Sequence, residues 1–302
     1  MNRKIPIIMG VIALLIGCSY CVGTVWAESE NSNTAKKGST NKIPSTPVST
    51  VTTTKPEAEK PWSVGVDVEH HLGFQSDIYP YTQFGVLGVF KPSERHTISV
   101  AQPMKKLYEV PQYGESEFQL DDTSISHNFQ IAEDFYGFGL NWKTGITLPV
   151  SQFSRSRGVI TKPSVALKVD RKFLDERLTL SYQPFYRYYF KQYTTTVSGT
   201  PLPVMTLGHT LGAEFELLPK LSLSLSGTGS YSWKEKHPTA TQDPPVDGDY
   251  GYETALGYEI SKNLNMKVGY GQADSFVKDG RYEVQIFDPG VSRFFFGVGL
   301  SF

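Results

Sequence analysis

Cysteine is nearly missing: two in 302 residues, Cys18 and Cys21, both near the N-terminus. The chain beyond Cys21 therefore holds no disulfide and no thiolate metal site, the staples of many secreted domains. No charge of one sign dominates, with 29 Lys+Arg against 30 Asp+Glu, so nothing points to a nucleic-acid partner. No apolar run reaches the ~20 residues that a spanning helix needs. No His/Cys cluster, Walker loop or dinucleotide fingerprint appears, so no metal or other cofactor is expected.

What the N-terminus does contain is a secretory pattern. Arg3 and Lys4 precede an apolar run from Ile5 to Ile16, and Val25-Trp26-Ala27 reads as a small-residue cleavage site, which makes residues 1–27 a signal peptide. Leu15-Ile16-Gly17-Cys18 also fits a lipobox, in which Cys18 would be acylated and become the first residue. Cleavage after Ala27 would leave a mature chain without a thiol. Residues 28–61 are crowded with Ser, Thr, Asn, Lys and Pro and nearly free of large apolar residues. Such a stretch cannot bury enough surface to offset its ordering entropy, so it reads as a disordered periplasmic linker, a spacer or a binding segment for a periplasmic partner.

From Trp62 onward the hydrophobic period is two. Trp62, Val64, Val66 and Val68 alternate with Ser63, Gly65, Asp67 and Glu69; Leu221, Leu223, Leu225, Tyr231 and Trp233 oppose Ser222, Ser224, Ser226, Thr228, Ser230 and Ser232. Counting such runs to the end predicts twelve strands. Their connections alternate between short, as at Pro92–Arg95, Ala132–Asp134, Leu174–Glu176, Pro219–Lys220 and Ser261–Asn263, and long, as at Tyr108–Glu117 and Ala273–Gly290. Five short and six long connections, with an even strand number, match a transmembrane barrel whose termini both lie in the periplasm.

The last run has Phe294, Phe296, Val298, Leu300 and Phe302 on one face and Arg293, Gly297, Gly299 and Ser301 on the other. A strand of this pattern ending on an aromatic resembles the closing strand of bacterial outer-membrane β-barrels of the porin-like superfamily. That resemblance implies that Phe294 to Phe302 is the segment read by the barrel-insertion machinery. The expectation for residues 62–302 is an all-β, antiparallel, up-and-down barrel in the outer membrane, with membrane lipid around it.

A soluble sandwich would show the same alternation, so the choice of face needs other signals. Runs of about ten residues suit a tilted crossing, and aromatics near strand ends, such as Trp62, Tyr136, Tyr186, Trp233 and Phe302, suit interfacial girdles. The polar phase then lines the interior with Asp67, Glu69, Asp170, Glu214, Glu216, Glu253 and Glu259 against Lys143, Lys168, Arg187, Lys191, Lys234, Lys267 and Arg293. Mixed signs predict a weakly selective channel for small hydrophilic solutes if the lumen is open, or a plugged structural barrel if acids and bases pair across it. Twelve strands fall between filled and channel-forming sizes.

His127 and His209 fall in the apolar phase, a placement that resembles the outer-wall His of lipid-modifying outer-membrane enzymes and so raises a lipid-modifying hydrolase as a distant alternative. Ser124 and Ser126 point the other way, so a neutral histidine at a strand end is the simpler reading, and no enzyme is expected. His70 and His71 are neighbours on opposite faces and cannot chelate together without a bulge. The loop from Ala273 to Gly290 carries Phe276, Ile286 and Phe287, which fit a fold inward as a constriction or outward as a contact surface.

Overall fold

A computed structural model describes residues 61–74, 79–108, 117–196, 199–236, 246–278, 281–282 and 284–302. The readings of residues 1–60 as signal and linker lie outside these, as do parts of the long connections. Twelve long strands run β1 Trp62–Gly73, β2 Tyr81–Ser93, β3 His96–Leu107, β4 Thr123–Phe135, β5 Phe138–Leu148, β6 Val159–Phe173, β7 Leu178–Tyr188, β8 Pro203–Leu218, β9 Leu221–Lys234, β10 Asp247–Ser261, β11 Leu264–Ser275 and β12 Ser292–Ser301. One short helix, α1 (Gln152–Ser156), sits between β5 and β6.

Each strand pairs antiparallel with its neighbour in sequence, and β1 also pairs with β12, Val66 opposite Leu300 and Val68 opposite Val298. The sheet is a closed, up-and-down, twelve-stranded barrel. Closure leaves no sheet edge with unpaired backbone groups.

The alternation becomes an inside and an outside. Val64, Val68, Leu72, Val86, Phe90, Val100, Trp142, Leu207, Leu211, Leu225, Leu256, Val268, Phe294, Phe296 and Leu300 are all exposed large apolar residues of one phase. Side chains of the other phase reach across intervening strands: Lys267 on β11 meets Glu69 on β1, and Arg293 on β12 meets Tyr81 on β2. Convergence of that kind marks the concave side, so the polar phase faces the interior.

The short connections are tight turns. Tyr136 and Gly137 both take positive φ, 57° and 85°, the pattern of a two-residue type I′ hairpin. This corrects the expected turn at Ala132–Asp134: β4 runs on to Phe135, with register shifts after Gln130 and Ala132. Tyr136 is therefore a turn residue, 86 % exposed, and not part of a strand girdle. Pro219 followed by Lys220 at φ 75° has the pattern of a type II turn.

Phe118 to Ile131 is also not one strand. A three-residue piece, Phe118–Leu120, pairs with β3 and is cut off from β4 by Asp121 and Asp122. Phe190 and Lys191 likewise leave β7 at Tyr189 and form a separate two-residue pairing with β6.

Candidate functional site

Two sectors of the inner wall differ in how their charges are answered. On β11, β12 and β1 the groups are interlocked. The Lys267 ammonium lies 2.7 Å from a Glu69 oxygen, and the other Glu69 oxygen lies 3.5 Å from His71 Nε2. His71 stacks on Tyr81 with centroids 4.4 Å apart, and Arg293 donates a hydrogen bond of 2.6 Å to the Tyr81 hydroxyl. Phe295, 4 % exposed, packs between Lys267 and His71. Lys105 approaches the Tyr81 ring and pairs with Asp121 at 2.9 Å. Glycine opposite Phe295 is a steric requirement: a Cβ on Gly269 would lie 2.3 Å from that ring.

On β5, β6 and β7 the interior is basic and unanswered. Lys143, Lys168 and Arg187 occupy inner positions on three adjacent strands, Lys143 opposite Ala166, Lys168 opposite Asn141, and Arg187 opposite Ser164. None has a carboxylate partner among the described residues, and the buried Arg187 Nε has no hydrogen-bond partner there. Asp170, the acid of this sector, accepts from Asn141 at 3.3 Å.

The remaining expected lining residues divide by height. Asp67 and Glu253 are half-buried on the inner wall of β1 and β10. Glu214, Glu216 and Glu259 lie towards the short-turn end of β8 and β10, where Glu214 and Glu216 are exposed. Lys191 is not a free lining residue. Its ammonium donates to the Leu202 and Pro203 carbonyls, both at 2.9 Å, and pairs with Glu235 at 3.1 Å, tying connections together at the long-loop end. Lys234 is likewise paired with Asp247 at 2.7 Å. Tyr81, His71, Phe295 and Lys105 belong to the interlocked sector and fall outside the expected lining charges. Tyr81 and Phe295 are not formal charges, His71 is not among the acids, lysines and arginines that the polar phase counts, and Lys105 is in the inner phase of a run whose outer phase is blurred by Gln102 and Lys106.

The rim above the basic sector is anchored through Asp122. Its carboxylate accepts from the Lys162 ammonium at 2.5 Å, from Ser154 Oγ at 2.5 Å and from the Ser151 amide at 3.0 Å. Ser151 caps α1 by accepting from the Ser154 amide at 3.1 Å. Burial by itself pushes the Asp122 carboxyl up, but the Lys162 ammonium and the two serine donors outweigh it and hold the group below the ordinary carboxylate range. A cavity of about 50 Å³ lies beside this anchor, bounded by Phe153, Arg157, Tyr189 and Leu202, large enough for one or two waters.

The histidines are placed on the outside. His127 sits opposite Ile98, with its Nε2 2.9 Å from His96 Nδ1 and the two rings stacked. His209 is opposite Pro184, and its nearest aromatic neighbour is Tyr182 at 6.2 Å. Neither has a serine partner. Among the described residues no group of three or more His, Cys, Asp or Glu is arranged to hold a metal ion.

No family model matches the chain, and no curated protein matches it. Solved structures do. The COG4313 outer membrane channel from Pseudomonas putida F1 superposes with a TM-score of 0.57 at 12 % identity, over 83 % of this chain and all of that one. The NanC porin superposes at 0.53 and 10 % identity, over 79 % of this chain and 98 % of that one. At such identities the likeness is one of fold: the chain shares the closed antiparallel β-barrel architecture of these channels.

Proposed function

We propose that this chain is a passive, weakly selective outer-membrane channel for small hydrophilic solutes, with both termini in the periplasm. The observation that carries the proposal is the state of the inner polar face. Ser222, Ser224, Ser226, Thr228, Ser230 and Ser232 form an unbroken hydroxyl row along β9, and each is only half-buried, while Lys143 is exposed inside the ring. A plugged barrel would pack that row against a facing wall, and the half-buried state of all six hydroxyl residues supports an open interior.

Weak selectivity follows from the sign pattern. Unpaired cations at Lys143, Lys168 and Arg187 face a wall where Glu69 is already answered by Lys267 and where Asp67 and Glu253 remain. No single-sign ring forms, so neither ion type is excluded. Phe294, Phe296, Val298, Leu300 and Phe302 serve as the insertion signal. Residues 1–27 are removed as a signal peptide, or the chain is acylated at Cys18, and residues 28–61 tether the barrel to a periplasmic partner or act as a spacer. No catalytic role is assigned to His127 or His209, because each faces outward away from the inner serines.

Planar-bilayer recording of the purified, folded barrel tests the reading. Stable unit conductance steps are the expected result. Silence from protein whose insertion is demonstrated by heat-modifiable mobility would overturn the channel and favour a structural barrel, closed by growth of the interlocked cluster around Glu69, Tyr81 and Phe295.

A further inference from the structure

The outer phase of β10 to β12 ceases to be apolar near the long-loop end. Tyr250, Tyr252, Tyr270, Gln272 and Ser292 share the phase of Leu256, Val268 and Phe294, so alternation sends them outward. Yet Gln272 is 2 % exposed and Ser292 0 %. What covers them, among the described residues, is Phe276 together with residues 284–288 of the β11–β12 connection, which lie against the outside of the wall. Phe276 packs on Tyr231 and Tyr250, and Phe287 packs on Phe74 and Tyr270.

Gln272 is the hub beneath. Its carbonyl oxygen accepts from the Tyr252, Tyr270 and Ser292 hydroxyls and from the Asp288 amide, at 3.0 to 3.3 Å. Its amide donates to the Gln285 carbonyl at 2.7 Å, and Tyr250 both donates to that carbonyl and accepts from the Gln285 amide. Left bare in hydrocarbon, each such group would cost several kcal/mol. The connection supplies the missing partners from its own backbone. Residues 284–287 leave an apolar outer surface: Val284 is 66 % exposed and Ile286 82 %, and Phe287, packed at one edge on the wall, is still 55 % exposed. That side continues the outer apolar band, since Phe74 touches Phe294 at 4.6 Å and Phe287 at 5.5 Å.

We infer that residues 284–288 form an external seal whose apolar side is seated in membrane acyl chains at the long-loop end. The chain thereby carries a dry polar network on the lipid-facing side of its wall. The inference rests on the membrane placement proposed above, but not on conduction: a silent barrel can be sealed in this way, and a conducting one can lack the seal.

The test is a nitroxide on Ile286→Cys, in the full chain carrying Cys18→Ser and Cys21→Ser, reconstituted in phosphatidylethanolamine/phosphatidylglycerol vesicles. Power saturation should give oxygen access far above access of a water-soluble nickel chelate, matching a label on Leu207→Cys of the outer wall. Nickel access equal to that of a label on Glu176→Cys, in an exposed turn, would overturn the inference. So would dipolar broadening between barrels, which would assign the surface to a second copy. Ile286→Asp provides a second readout. Hydrogen exchange at the Asp288 amide should rise at least tenfold in vesicles with the barrel still inserted, and unchanged exchange would equally reject a lipid-held seal.

Discussion

The two inner sectors come from the same alternating pattern and the same residue types, yet one is interlocked and the other open. Between β11 and β1, Glu69 reaches across β12 to Lys267, while Tyr81 and His71 stack and Phe295 fills the space beside them. Between β5 and β7, Lys143, Lys168 and Arg187 have only Asn, Ala, Ser and Thr partners in register. The difference teaches that charge balance over a whole lumen says little about any wall of it. What matters is whether opposite signs fall on neighbouring strands at one height, because a screened charge several strands away contributes little.

The largest break in this comparison is Glu69→Ala. It strands Lys267 in a largely enclosed site and should cost about 3 kcal/mol, read as a lower urea midpoint for unfolding from micelles, since removing one member of a shielded pair costs more than the pair contributes. Lys143→Met, in the open sector, should leave that midpoint unchanged. If both variants lose stability equally, the sectors are not different in kind.

Lys143→Glu with Lys168→Glu sharpens the contrast from the other side. The reversal potential in a tenfold KCl gradient should move toward cations by a sizeable fraction of the roughly 59 mV Nernst limit. An unmoved potential would mean that the ion path avoids this wall.

A smaller effect is expected at the rim. Because the Asp122 carboxyl is held low in the folded protein, its anchoring is fully present above the unfolded carboxylate range and is lost as pH falls through the depressed folded value. Exchange at the Ser154 and Arg155 amides should therefore accelerate in acid. Asp122→Asn should abolish that pH dependence and weaken the loop by about 1–2 kcal/mol at neutral pH.

The smallest is Gly137→Ala, at φ 85° in the turn below the basic sector, which should cost about 1 kcal/mol and leave conductance unchanged.

Much of the architecture is legible in the sequence. Strand number, alternation of short and long connections and the phase of each charged residue are local properties, set by a side-chain period of two and by turn chemistry. The departures from that pattern are local too. Tyr136 looked like a strand aromatic because the period continues through it, whereas the Tyr136-Gly137 pair is what the I′ turn selects. Lys191 looked like a lining residue because its phase is right, but Tyr189 breaks the strand before it and the ammonium is drawn to the Leu202 and Pro203 carbonyls. The outward placement of residues 284–288 has one trace in the sequence: Gln272, a polar residue in the outer phase, which needs a cover from outside its own strand.

By itself, then, the sequence determined that this is a twelve-stranded wall with one apolar and one polar face, because alternation is dictated residue by residue along each strand. Which polar residues neutralise one another, which are left without an opposite charge, and that residues 284–288 cover the outside were decided only in the closed barrel. Closure brings β1 against β12 and places Glu69 within reach of Lys267 and Tyr81 within reach of Arg293, each across more than 190 residues of chain.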